Sequence, residues 1–320
     1  MVKIKKTKNF SETITENFWA VWFLVVITII LVFTAKQDAL ANFVWQKYRI
    51  ANLAILLDKN DSDLAMQIGN YYFNGGAYNL DRAKKSYESA FNLKPDIQLA
   101  HYQISRIYFL KGDFNSALDE INKELKLRPE IPNSYYVRGL ILGYRGNFRE
   151  AESDFFKFIK LIPSQWAGYN DLAWIQVKLK KFQDAKETIL KSFKNIPLEK
   201  DRNPWLWTSL GIAYLNLGEY NKAKEAFLSA EEKTNKINAD YFWSAYPGNN
   251  PKQAENAYSQ FKSILNLNLA LVYEKLGDFK KSKIKYEEYL KFIPLGPFPS
   301  EAEIEERISE MGRRITGTDK

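Results

Sequence analysis

The chain has 320 residues, 46% hydrophobic and 26% charged, a balance that excludes global disorder and collagen-like or low-complexity classes. It has no cysteine and one histidine, so disulfide frameworks, cysteine-based zinc sites, thiol nucleophiles and histidine metal clusters are all excluded. The net charge of +8 comes from lysines interleaved with acids, as in Lys222-Ala223-Lys224-Glu225, a pattern of solvated helix faces that argues against a nucleic-acid partner.

Positive charge is concentrated only in residues 1–17, where Lys3, Lys5, Lys6 and Lys8 stand against Glu12 and Glu16. Residues 18–35, FWAVWFLVVITIILVFTA, then run without a charge. As a helix they would span about 27 Å, the hydrocarbon thickness of a bilayer. Trp19 and Trp22 lie near the start, where amphipathic rings favour the headgroup zone, and the basic tail predicts a cytoplasmic N-terminus. The expectation is a transmembrane signal anchor with everything after Ala35 on the periplasmic or extracellular side. The alternative is secretion after cleavage following Ala41, since Ala39-Leu40-Ala41 fits the small-x-small pattern. The length of the apolar run and the intervening Lys36 and Asp38 favour the anchor.

Residues 36–61 read as a connecting or capping helix, which either continues the membrane helix or caps the folded segment after it. Beyond it the chain repeats: Ala83, Ala117, Ala151 and Ala185 are spaced by 34, and Pro95, Pro129, Pro163 and Pro197 each come twelve residues later. Gly-x-aromatic recurs at Gly112–Phe114, Gly146–Phe148, Gly218–Tyr220 and Gly277–Phe279, with Lys180 in the glycine's place in one copy. These predict tight turns between paired helices, the glycine ending the first helix and the aromatic packing between the pair. The proline ends the second helix.

This pattern resembles the tetratricopeptide repeat family. Trp207-x-x-Leu210-Gly211-x-x-Tyr214, then Ala223-x-x-x-Phe227 and Ala230, match its motif position for position. The resemblance implies an all-α solenoid over 62–297, following one N-terminal transmembrane helix. Its six helix pairs fall near 62–97, 98–131, 132–165, 166–203, 204–235 and 263–297. Four residues are inserted around Leu198 to Asn203 and 25 near Lys236 to Gln260, and such insertions must leave the stack as a loop or a lengthened helix. The 236–262 insertion holds Tyr241, Phe242, Trp243 and Tyr246, readable either as a partner contact or as rings plugging a gap in the stack. In 298–320, Ser300 to Glu303 read as a capping box, with Ile304, Ile308, Met311 and Ile315 forming one apolar face of an end helix.

Nothing in the sequence supports catalysis. His101 takes the large-residue place held by Tyr135, Tyr169 and Trp207 in other copies, as a packed ring would. Glu231-Glu232 and Glu287-Glu288 diverge on helices, and no phosphate loop or nucleophile elbow occurs. The expectation is therefore a non-enzyme without metal or cofactor.

The resemblance implies a concave groove lined by first helices. Projected onto this chain, that groove takes Tyr102, Arg106, Phe109, Tyr136, Leu140, Tyr144, Asn170, Trp174, Val177, Thr208, Ile212 and Asn216. Such a lining suits a peptide or helix held by aromatic anchors. The carboxylate clamp of some family members is not carried over: only Asn70 matches, while Met66, Gln103, Asn133 and Val137 hold the other places. The implied function is a membrane-anchored scaffold or adaptor in bacterial envelope assembly or secretion. Alternatives are an accessory subunit of a membrane glycosyl-polymer enzyme and a glycan- or peptide-binding module.

Overall fold

In a computed structural model, residues 22–23, 25–27, 37–73, 78–241, 254–294, 296 and 298–317 are described, and among them the chain is helical without a strand. The predicted span at 18–35 lies largely outside the described residues; of it, residues 22–23 and 25–27 are helical. Among the described residues no helix is long and apolar enough to cross a membrane. The chain divides into two compact units between Ile104 and Ser105.

The first unit contains α1 (Gln37–Tyr48), α2 (Ala51–Leu57), α3 (Ser62–Phe73), α4 (Leu80–Leu93) and the start of α5 (Ala100–Leu110). The turn before α3 is fixed by Asp61, whose carboxylate accepts from the Leu64 amide, and α4 is capped by Asn79 accepting from Arg82. The two helices of the first repeat approach closely because Gly69 faces the buried Tyr87 ring, and a Cβ there would sit 2.5 Å from it. α1 packs on α3: Trp45 meets Tyr71 edge to face at 5.3 Å and Gln46 bonds Gln67 at 2.9 Å. His101 is buried with its ring 4.4 Å from that of Phe91.

The second unit runs from the end of α5 through α6 (Phe114–Leu127), α7 (Pro132–Tyr144), α8 (Phe148–Leu161), α9 (Trp166–Lys178) and α10 (Phe182–Asn195). It continues with α11 (Pro197–Arg202), α12 (Pro204–Asn216), α13 (Tyr220–Thr234), α14 (Ala254–Lys275), α15 (Phe279–Leu290) and α16 (Glu301–Thr316). Every turn between paired helices here passes through the left-handed region, with φ of 78° at Gly112, 82° at Gly146, 76° at Gly218 and Gly277, and 59° at Lys180. That conformation lets the residue after it bond back across the turn, as Asn147 N to Leu142 O at 2.9 Å and Lys181 N to Gln176 O at 2.8 Å. Lysine at 180 meets the same geometric demand with a Cβ in the way.

Within each pair the first helix presents a small residue to the second. Gly139 faces Phe155 and Gly211 faces Phe227. Where serine stands at this crossing, its hydroxyl donates to the facing carbonyl, Ser105 to Ala117 O at 2.7 Å and Ser282 to Ala270 O at 3.0 Å. The close approach is kept without an orphaned polar group.

The insertions take distinct forms. The four extra residues become the short helix α11, begun by Pro197, after α10 has ended at Asn195. The larger one is partly a lengthened helix: α14 has 22 residues, and its early Tyr258 hydroxyl donates to Thr234 O and Ile237 O at the end of α13. The end helix α16 begins with a capping box, Glu303 accepting from the Ser300 amide at 2.7 Å. Ile304 and Met311 are buried against Tyr286 and Tyr289, with Ile308 beside them, whereas Ile315 is exposed.

Candidate partner-binding surface

In the second unit the first helices α7, α9 and α12 are joined by a line of polar contacts. The buried Tyr136 hydroxyl donates to Asp171 at 2.8 Å, Asn170 donates to the same carboxylate at 3.2 Å, and Ser209 donates to Asn170 at 2.8 Å. Each bond links a helix to its neighbour or its own next residue, so these side chains set the spacing of the first helices.

Beside that line runs a set of aromatic rings. Phe109 meets Tyr144 edge to face at 5.3 Å, and Phe114 stacks on Tyr144 at 5.7 Å. Tyr144 reaches Trp174 at 5.8 Å, Phe148 closes on Trp174 at 6.5 Å, and the Lys178 ammonium lies 5.9 Å from the Trp174 ring. Tyr144 is 60% exposed at the centre of this run. Desolvation by its surroundings raises the Tyr144 pKa above the ordinary phenol value, and the Asp171 carboxylate adds to the rise. Offset and edge-to-face rings hold one another in place, so the exposed ring is presented in a fixed orientation.

The predicted groove residues divide by their surroundings. Phe109, Tyr144 and Trp174 come together in the aromatic run. Tyr136 and Thr208 do not face a partner: they are 5% and 7% exposed, and their hydroxyls are spent on Asp171 and on Pro204 O. Asn170 is engaged between α9 and α12. Ile212 packs against the core around Phe227 and Leu269, and Asn216 is exposed with its amide turned back to Ile212 O. Tyr102, Arg106, Leu140 and Val177 are half-buried. Of the insertion rings, Tyr241 is exposed at the edge of the described residues, while Phe242, Trp243 and Tyr246 lie outside them.

Phe114 and Phe148 are additions that projection of the repeat missed. They open the second helices and were expected inside their own pairs. Phe114 does meet Phe109 of its own pair at 5.7 Å, but both rings also reach the first helix of the following repeat, at Tyr144 and Trp174. The Gly-x-aromatic signal located them, but a period within one repeat carries no record of contacts between repeats.

A separate polar cleft of about 490 Å³ lies between the ends of α13 and α15 and the first half of α14, lined among others by Glu231, Tyr258, Asn266, Lys285 and Phe292. Lys285 at its floor is bonded to Glu231 at 2.6 Å, Glu288 at 2.7 Å and Asn266 at 3.2 Å, so its three donors are used in holding the helices together.

Comparison with known proteins places this geometry. A family model described as tetratricopeptide repeat matches residues 206–232 and 265–294, which fall in α12–α13 and α14–α15. No protein of curated function matches the sequence. Among solved structures, a tetratricopeptide repeat protein from Parabacteroides merdae is 14% identical, covering 88% of this chain and 99% of its own, with a TM-score of 0.56. PilF of Pseudomonas aeruginosa is 17% identical, covering 79% of this chain and 98% of its own, at 0.57. PilW, described as a widely conserved type IV pilus biogenesis factor, is 16% identical, covering 78% and 97%, at 0.57. At these identities the likeness is one of fold. Residues 206–232 and 265–294 carry tetratricopeptide repeats, and the described residues share the helical fold of those proteins.

Proposed function

We propose that this protein is a membrane-anchored adaptor that binds a peptide or helix of a partner protein on the aromatic run of its second unit. The observation that carries the reading is Tyr144, a large exposed ring held by contacts with Phe109, Phe114 and Trp174. Exposed, immobilised aromatic side chains are the commonest energetic anchors of protein interfaces, because burying them releases much water and freezes few rotors.

The anchor is residues 18–35, with 1–17 in the cytoplasm and the repeats across the membrane, on the strength of the uncharged run and the basic tail before it. Tethering confines the repeats to the membrane surface and raises their effective concentration near an envelope complex. The reading is thus of envelope assembly or secretion, without catalysis by this chain. PilW shows that the fold occurs in a pilus biogenesis factor, but the envelope assignment here rests on the span.

The test is co-purification from the native host with the intact chain beside a Tyr144→Ala/Trp174→Ala variant, both checked for helicity by circular dichroism. The reading expects a discrete protein partner with the intact chain, lost at least tenfold with the variant. Equal recovery with both would move binding away from the rings. Glycan binding by the intact chain, with no protein recovered, would favour the glycan-binding alternative.

A further inference from the structure

The helices just after the predicted span have their apolar residues turned outward. α2 reads Ala51-Asn52-Leu53-Ala54-Ile55-Leu56-Leu57, without a charge, and the residues it buries are its alanines, Ala51 and Ala54. Leu53, Ile55 and Leu56 are exposed, Leu56 to 63%, as is Ile50 immediately before them. α1 buries Ala41, Val44 and Trp45 against the protein and leaves Phe43 and Tyr48 exposed. The two exposed rings meet edge to face at 6.0 Å, and the Lys47 ammonium lies 5.4 Å and 5.5 Å from their centres. A helix in water turns its large side chains to the core and its small or polar ones out. Small residues inward and large aliphatic residues outward is the arrangement of a helix whose free side meets an apolar medium.

Three features identify that medium as the bilayer interface. The first is continuity: α1 begins at Gln37, two residues after the uncharged run ends at Ala35. Two residues reach at most about 7 Å, and the twelve of α1 add about 18 Å, so the whole segment lies within reach of the membrane surface. The second is charge: residues 36–59 hold Lys36, Lys47, Arg49 and Lys59 against Asp38 and Asp58, a net +2 that suits anionic headgroups. The third is side-chain type, aromatic rings with lysine beside them being the pairing favoured between acyl chains and headgroups.

We infer that α1 and α2 lie in the plane of the bilayer interface, with Phe43, Tyr48, Ile50, Leu53 and Leu56 at the boundary of headgroups and acyl chains. Because α1 is docked on α3 through Trp45 and Gln46, this seats the first repeat on the membrane in a set orientation instead of on a free tether. The inference rests on the span at 18–35 proposed above.

The chain has no cysteine, so a single introduced cysteine takes a spin label at one known place. The full-length protein is reconstituted in vesicles of phosphatidylcholine with phosphatidylglycerol as Val26→Cys, Phe43→Cys, Leu56→Cys and Lys191→Cys variants. Collision of each label with oxygen and with a water-soluble nickel chelate is then read by electron paramagnetic resonance. The inference expects a deep lipid signature at Val26, a shallow one at Phe43 and Leu56, and water at Lys191, the oxygen-to-nickel ratio at Phe43 and Leu56 exceeding that at Lys191 severalfold. If Val26 is in lipid while Phe43 and Leu56 match Lys191, the span stands and the inference falls. Labels at Phe43 and Leu56 screened from both oxygen and nickel would mean that protein covers this face, which also overturns it. Water at Val26 would overturn the span and the inference together.

Discussion

Replacing Gly211 by alanine tests how the repeat is held together. The added Cβ would lie 2.5 Å from two atoms of the Phe227 ring and 2.8 Å from a third. Carbon atoms rest about 3.5–4.0 Å apart, so the ring or the helix must give way by about 1 Å or more. Phe227 is fully buried among Ala223, Leu265 and Leu269, so its ring has no space to retreat and α12 must move off α13. Overpacking of this kind costs about 3 kcal/mol, while alanine for glycine in a helix interior returns about 1. The net prediction is a destabilisation of about 2 kcal/mol, read as a lower urea midpoint by circular dichroism in constant detergent. A second variant isolates the cause. Phe227→Leu removes the ring atoms in the way, so Gly211→Ala and Phe227→Leu together should cost at least about 1 kcal/mol less than the sum of the two alone. A neutral or stabilising Gly211→Ala, or strict additivity in the double variant, would refute the reasoning.

Lys180→Gly should raise the thermal midpoint, because the left-handed backbone at φ 59° costs lysine about 1–2 kcal/mol and glycine's added freedom in the unfolded chain returns only part of it; an unchanged or lower midpoint would contradict this. Arg138 grips the buried Asp154 with two hydrogen bonds of 2.7 Å and 2.8 Å, so Arg138→Ala, which leaves that carboxylate unpaired, should cost about 3 kcal/mol in urea unfolding. Tyr286 is held neutral first by burial and then by its hydrogen bond to Glu274, which together push its pKa up from the ordinary phenol value. An unfolded tyrosine ionises near pH 10 while the folded one does not, so this contribution is full below about pH 10 and is lost as pH rises above it. Tyr286→Phe should therefore flatten the loss of stability in base, and an unaltered pH dependence of the urea midpoint would count against the assignment.

Much of the fold was legible because a repeat is encoded locally and many times over. The 34-residue spacing of Ala83 to Ala185 and the Gly-x-aromatic turns mark places where α3 through α10 begin and cross. Even the lysine at 180 was readable as a turn, since its place in the period outweighs its own preference, and the structure holds it left-handed. The surface was less legible, for a physical reason. Whether a first-helix side chain is open or spent depends on its neighbour one repeat away, as Tyr136 depends on Asp171 and Phe114 on Tyr144. The insertions likewise announced their size and not their form: four residues became α11, and part of the larger segment became the early turns of α14. Outward leucines on α2 look like any buried apolar run until the burial of Ala51 and Ala54 shows which side faces the protein.

The central claim is that the aromatic run is where a partner binds, and a photo-crosslinking amino acid placed there tests it most directly. It would replace Tyr144 in the run and, as a control, the exposed Lys191 on α10, each in the full chain in its own host. The account predicts one discrete adduct from position 144, abolished when Trp174→Ala is added, and none from position 191. The same adduct from both positions, or one from 144 indifferent to Trp174, would contradict it.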